Sequence, residues 1–464
     1  MKDLMRPLTV KCIRNIIAGR LVQGSDEVIV QYGAYRLKQI KHPNTILFSN
    51  KKIINWKGLK DFFPLILVTD QEVALPGDPE DLTIIHVLNL EQAYWEFVHY
   101  YRDLFRIPII AITGTSGKTT TKEMIKHILA AQKKVAATTN TSNSRTAHLQ
   151  YLLSVDDQIE VAVFETAVGA PGDIQTAGKY FKPTIGIITN VGAHHLNYCK
   201  SIEGYIEAKG EMVKILDQTD GVLIINAEDQ NTMKIDRSDY QGKLIKIGQH
   251  PSCHFRATTI QYDRSGMTFT LHHQEQTYHV FVTGYGEHQV YNALATIAAV
   301  YEVGVSIQEA IDLLKTYRKL NKQLQVFTGI NGSLLLDDTW SINTTSLEAA
   351  LKVLNDLGKD KRKIAIIGTI TDLGSWGYII HEQAGELITR HGVDVLITIG
   401  EHARIIANYA VHLGIEAQVY SFHNGIRAYD LLTQFTDENT VILIKGDMYS
   451  KTMIDLAAKL RTKN

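Results

Sequence analysis

Seven consecutive residues, Gly114-Thr-Ser-Gly-Lys-Thr-Thr120, carry the sharpest chemical signal in the chain. Glycines at the first and fourth positions let backbone N–H groups close around an anion. The lysine and hydroxyls that follow add a cation and oxygen ligands. Upstream lies a short apolar run, Arg106-Ile-Pro-Ile-Ile-Ala-Ile-Thr113. Downstream is an amphipathic stretch, Thr119 to Ala131, with Met124, Ile125, Ile128 and Leu129 on one face. Strand, glycine loop and helix N-terminus in that order make a phosphate loop. In this reading Gly114, Thr115, Ser116, Gly117, Lys118, Thr119 and Thr120 hold a nucleotide's phosphates. Lys118 neutralises the β- and γ-phosphates, and the Thr119 hydroxyl ligates Mg2+. The loop is a shortened variant, because the strict G-x-x-x-x-G-K-S/T pattern needs glycine where Ile112 stands. An ordinary glycine turn accounts for the glycines but leaves the strand, the Lys-Thr pair and the helix unexplained.

The rest of the chain must hold that loop in place. Its 464 residues, 45% hydrophobic with 33 Gly and 9 Pro, are enough for about three domains. Apolar runs at Ile159 to Phe164, Thr184 to Thr189 and Val222 to Ile225 alternate with helical patterns, which predicts a parallel sheet wrapped by helices. From His254 to Val282 the pattern turns to antiparallel hairpins, with a turn at Asp263 to Gly266. A helix is expected from Leu90 to Leu104, and another from Asn292 to Val303. A second α/β block has strand candidates at Leu334 to Leu336, Lys363 to Gly368, Asp394 to Gly400, Gln418 to Phe422 and Val441 to Lys445. The expected division is 1–105, mixed, with Glu27 to Val30 and Thr45 to Phe48 as strand-like pieces; 106–324, nucleotide-binding; and 325–464, doubly wound.

Lys and Arg total 48 against 49 Asp and Glu, a formal charge of −1, so no global field marks nucleic acid or a membrane surface as a partner. Cys12, Cys199 and Cys253 stand far apart and read as reduced thiols rather than a disulfide framework or zinc site. Charges interrupt the N-terminal apolar stretches, and no run approaches ~18 apolar residues. A cytoplasmic protein without a membrane span is the expectation.

The loop and five later segments together resemble the Mur ligase family, the ATP-dependent ligases of cell-wall precursor synthesis. The segments are Glu165-Thr-Ala-Val-Gly-Ala-Pro-Gly-Asp-Ile174, Ile188-Thr-Asn-Val-Gly-Ala-His-His-Leu196, Ala208-Lys-Gly-Glu211, Gly286-Glu-His-Gln-Val-Tyr-Asn292 and Asp337-Asp-Thr-Trp-Ser-Ile-Asn343. Their order and wording are most similar to the branch that adds D-alanyl-D-alanine. The resemblance implies a three-domain α/β architecture: a substrate-binding N-terminal domain, a central P-loop parallel-sheet ATPase domain and a Rossmann-like C-terminal domain. It implies an amide-bond ligase acting through an acyl phosphate, with ATP, Mg2+ and small-molecule carboxylate and amine substrates; the sequence leaves the oligomeric state open, with a monomer favoured.

By the same resemblance Glu165, His195 and Lys209 join Thr119 around Mg2+, with Lys209 carbamylated. Lys118, Lys209 and His195 form the catalytic set, His288 and Asn292 meet the adenine, and Asp338 meets the ribose. Chemistry gives some of these independent weight. Glu165 ends an apolar strand, where an α/β sheet exposes residues to ligand, and a carboxylate suits a hard cation. A protonated Lys209 beside Mg2+ is repelled, and carbamylation by CO2 reverses its sign. Asn292 offers a donor and an acceptor to a base edge. Read alone, Glu165 is a helix cap, Lys209 a surface helix lysine, Asn292 part of a helix cap, Asp338 a turn residue and His194 structural.

Departures from the family pattern fall at the substrate ends. The D-x-Y-N-A-N-P pattern is here Asp338-Thr-Trp-Ser-Ile-Asn-Thr344, and the arginine usual before the last domain is missing, with Lys319, Lys322 and Gln323 nearby. Thr369 replaces an acidic residue, and no Asp-Ser-Arg uridine signature stands in the first ~105 residues. These changes predict retained amide ligation with a shifted substrate preference. Two alternatives stay open: a folylpolyglutamate-synthase-like paralogue, and a catalytically silent nucleotide-binding partner protein.

Overall fold

The computed structural model describes residues 4–74, 81–139, 145–192 and 196–462, without the Leu196 side chain. Its centre is a nine-stranded sheet whose heart is Val222–Asn226, Ile185–Ile188, Ile109–Thr113 and Val161–Glu165, paired in parallel in that spatial order. Nearly every side chain in these strands is buried, the pattern of a sheet covered on both faces. Register sets the site. Glu165 pairs with Ile112 and Ile188 with Thr113, so three strands deliver their carboxyl ends to the residues that follow Thr113.

The antiparallel segment is not a separate unit. Phe255–Asp263, Gly266–His273 and Gln276–Thr283 extend the same sheet, joined to it through a short parallel pairing with Lys243–Gly248. The helix expected from Asn292 begins earlier and spans Glu287–Glu302, led by Gly286 at φ +100°. Glu287 in its first turn suits the positive end of the helix dipole.

In the N-terminal segment a five-stranded sheet runs in the order Arg20–Gln23, Leu82–His86, Leu65–Thr69, Thr45–Phe48, Tyr32–Ala34. The piece expected from Glu27 to Val30 shrinks to Ile29–Val30, which pairs with Leu8–Thr9. Helix Leu90–Asp103 leads out, and its buried Arg102 donates to the carbonyls of Phe105, Phe181 and Lys182, fastening this segment to the central one. The C-terminal sheet runs Gln325–Thr328, Leu334–Asp338, Thr440–Lys445, Arg362–Gly368, Val395–Ile399, Gln418–Phe422, parallel except for its first, edge strand. The cores are not sealed domain by domain. Ala111, Ile188 and Leu223 of the central sheet belong to the same buried cluster as Leu336, Leu347 and Ala365.

Candidate active site

The loop after Thr113 is held open from one side by Thr189 and Asn190, which follow the neighbouring strand. Thr189 Oγ1 and Asn190 Nδ2 both donate to the Ser116 carbonyl (2.6 and 3.0 Å), while Ser116 N–H donates to Asn190 Oδ1 (3.0 Å). Gly114 has φ +142°, and a β-carbon there would collide with Thr189 Oγ1. Gly117 has φ +86°, and a β-carbon there would lie 2.5 Å from Asn292 Oδ1. Both glycines are therefore required by geometry. Helix Lys118–Leu129 starts directly afterwards, and its first N–H groups have no intrahelical acceptor. A loop shaped in this way fits an anion at a helix N-terminus.

Four candidate residues converge there. Lys118 Nζ folds back onto the carbonyls of Gly114 (2.8 Å) and Thr115 (3.0 Å). Lys209, on helix Ile202–Asp217, reaches Thr113 Oγ1 and the same Gly114 carbonyl, both at 3.1 Å. Its side chain is 1% exposed, so the surface-lysine reading is overturned: the helix packs over the strand ends and carries Lys209 inward. Burial pulls the Lys209 ammonium well below its ordinary proton affinity, Lys118 lowers it further, and the Tyr205 ring lies 4.9 Å from it. Burial also lowers Lys118, with Glu165 opposing. Thr119 Oγ1 donates to Glu165 Oε2 at 3.2 Å. These two oxygen-bearing side chains make a donor pair suited to Mg2+.

His194 and His195 lie outside the described residues. Among the described residues no group of three His, Cys, Asp or Glu side chains gathers as a metal cluster. A residue absent from the sequence reading does join the site. Lys122, fully buried, sits 3.3 Å from Glu165 Oε1 and donates to the Thr138 carbonyl at 2.8 Å. Its spacing of three and seven residues before Ile125 and Leu129 on the apolar face was the available signal.

The loop opens into a cavity of about 390 Å3 whose far wall comes from the C-terminal segment and includes Asp338 and Trp340. Asn292 lies under the loop, accepting from Thr121 Oγ1 at 3.3 Å. His288 lines the same cavity, kept neutral by burial and by Lys319, its proton affinity pulled down to about 3. Asp338 accepts from Lys445 Nζ at 2.6 Å and from Leu324 N–H at 3.1 Å, so it is braced at the strand end rather than free in a turn. Gln323 accepts from Thr120 Oγ1 at 3.1 Å, and Asn343, capping helix Thr344–Leu357, stands 3.4 Å from Ser116 Oγ. Thr369 packs toward Gly400.

Known proteins resemble this chain in sequence and in fold. Residues 112–300 match the Mur ligase middle domain, and 324–448 match the Mur ligase, glutamate ligase domain. The chain is 28% identical over 409 residues to the UDP-N-acetylmuramoyl-tripeptide--D-alanyl-D-alanine ligase of Bacillus subtilis strain 168, covering 87% of each. Its fold is similar to a crystal structure of MurF from Acinetobacter baumannii, with a TM-score of 0.83 and 22% identity over 98% of this chain and 100% of that one. It is also similar to MurF ligase from Thermotoga maritima in complex with ADP, with a TM-score of 0.76, 17% identity, and 92% and 97% of the two chains covered.

Proposed function

The chain belongs to the Mur ligase family, and we propose that it joins a substrate carboxylate to an amine at the expense of ATP, with the residues around Gly114–Thr120 doing the phosphoryl chemistry. The observation that carries this is one juxtaposition: Lys118, Thr119, Glu165 and Lys209 meet at the carboxyl edge of one sheet, on a cavity closed by a second. Lys118 exchanges the Gly114 and Thr115 carbonyls for phosphate oxygens. It offsets charge as the carboxylate oxygen attacks the γ-phosphorus and the bond to ADP breaks. The amine then attacks the acyl carbon and releases phosphate, in a cleft whose two walls exclude water. Glu165 and Thr119 would hold Mg2+, which supplies charge neutralisation between the phosphates.

Lys209 fits carbamylation on physical grounds. Burial favours its neutral amine, the form that attacks CO2, and the resulting carbamate would turn repulsion from Lys118 into attraction. A second cavity, about 250 Å3, lies between the N-terminal and central segments with Tyr32, Lys38, Lys41, His42 and Gln150 on its walls. Its cations suit a phosphate-bearing acceptor. UDP-muramoyl tripeptide and D-alanyl-D-alanine, from the relative's name, are the first pair to assay, and the changes at Gln323 and Trp340 lead us to expect this pair to be used poorly. The reading carries with it a division at 1–105, 106–324 and 325–464, and a monomeric cytoplasmic enzyme. Among the described residues no helix is long and apolar enough to cross a membrane.

The test is ADP release by purified protein with Mg-ATP and a panel of muramoyl peptides, amino acids and dipeptides. Release that requires both a carboxylate and an amine, with a new amide by mass, supports ligation. Nucleotide binding without such release across the panel favours the silent-binder alternative. Full turnover with the tripeptide and D-alanyl-D-alanine refutes the shifted preference alone.

A further inference from the structure

Four lysines line the main cavity, and three have partners. Lys118 holds two loop carbonyls, Lys209 holds Thr113 and Gly114, and Lys445 holds Asp338 and the Ser341 carbonyl. Lys319 is different. Its ammonium is closed off from solvent and, among the described residues, meets no hydrogen-bond acceptor. The carboxylate whose charge acts on it is Asp338, already bound by Lys445 at 2.6 Å, so two lysines face one acid. The neighbouring His288 is neutral and brings no compensating charge. Gly284, at φ +96°, makes room for the lysine, since a β-carbon there would lie 2.9 Å from Nζ.

A buried, unpaired ammonium is costly, and a fold that closes around one leaves a place for an anion. The class of anion follows from position. Lys319 lines the same cavity as the phosphate loop, and four residues later Gln323 bonds Thr120 of that loop. Gln323 and its neighbours also occupy the stretch where an arginine was expected and is missing.

We propose that Lys319 is a ligand for the nucleotide's phosphate oxygens, supplying from the end of the central segment the cation that the missing arginine does not. The proposal rests on the reading of this cavity as a nucleotide site. Methionine in its place removes the charge and keeps the length; arginine keeps the charge.

The experiment is displacement of a fluorescent ADP analogue from the full chain by ADP and by adenosine, with Mg2+ present. Parent, K319M, K319Q and K319R are compared, each checked by its thermal melt. K315M serves as a control for a surface lysine that pairs with Asp312. We expect K319M and K319Q to lose roughly ten- to hundredfold in ADP affinity, the scale of a charge-assisted hydrogen bond. Adenosine affinity should stay within about twofold, and K319R should hold ADP nearly as the parent does. Parental ADP affinity in both K319M and K319Q overturns the proposal, as does an equal loss for adenosine, which would mark a packing role. A parent that binds neither the fluorescent analogue nor ADP overturns the nucleotide reading itself, a result distinct from either of these.

Discussion

Replacing Lys319 with methionine should stabilise the nucleotide-free protein, and the size of the gain follows from the surroundings of the ammonium. Burial, with Lys445 adding repulsion, pulls its proton affinity from the ordinary 10.5 down to about 8, against a smaller opposing pull from Asp338. At about 1.4 kcal/mol for each tenfold in proton affinity, the folded state holds the protonated lysine at a cost of about 3 kcal/mol. Because the folded value is the lower one, the unfolded chain binds more protons between pH 8 and 10.5, so the parent gains stability as pH rises through that window. Below pH 8 both states are protonated and the full penalty remains. Methionine carries no such penalty. Lys319→Met should therefore exceed the parent by about 3 kcal/mol at pH 7, with the gap closing by pH 10.5. At an m-value of roughly 3 kcal/mol/M, that is about 1 M in urea midpoint. Urea unfolding followed by fluorescence at pH 7, 8, 9 and 10, without nucleotide, measures it. A variant less stable than the parent at pH 7, or a gap that ignores pH, would refute the reasoning.

Lys118→Met should lower ADP release by at least ~10²–10³-fold, the scale of losing one preorganised charge partner, while its melting temperature stays near the parent's; parental turnover in a folded variant removes the loop assignment. Lys209→Ala should be nearly inactive and partly rescued by a short carboxylate in the buffer, and the parent should slow in CO2-depleted buffer and recover with bicarbonate. No rescue and no bicarbonate dependence would end the carbamate reading. Gly117→Ala should cost about 1–2 kcal/mol in backbone strain at φ +86° and more through its clash with Asn292; an unchanged melt and unchanged ADP affinity would contradict the loop geometry.

The phosphate loop was legible because each part of it obeys a local rule: buried strand, glycines with positive φ, a lysine, a helix start. What surrounds it obeys sheet register, which one-dimensional patterns do not carry. Glu165 reaches Thr119 because its strand pairs with the loop strand, and Lys122 is buried for the same reason, although a lysine one turn into a helix reads as solvated. Lys209 was placed by resemblance alone, since a single helix in isolation gives no sign that it packs across strand ends. The hairpin region read correctly as antiparallel, yet its joining to the parallel sheet rests on two residue pairs, Ile247 with Phe255 and Gly248 with Arg256. The apolar run Leu65–Thr69 forms a strand buried throughout, set among the mixed short patterns of the first segment.

The seam between the central and C-terminal segments explains why one part of the site follows the family and another does not. The loop wall is fixed from within its own sheet: Glu165 ends one strand adjacent to the loop strand, and Thr189 and Asn190 follow the other. Changing any of them disturbs the sheet edge itself. The opposite wall, Gln323, Asp338, Trp340 and Asn343, touches the loop through a few side-chain bonds, Thr120 to Gln323 and Ser116 to Asn343 among them. Residues on that wall can change one at a time while the loop keeps its shape, and the departures at Gln323 and Trp340 fall there. The same arrangement ties binding to domain position. Lys319 belongs to the central segment but faces Asp338 of the C-terminal one, so phosphate bound there would lie where the two walls meet, in the cleft that shields an acyl phosphate from water.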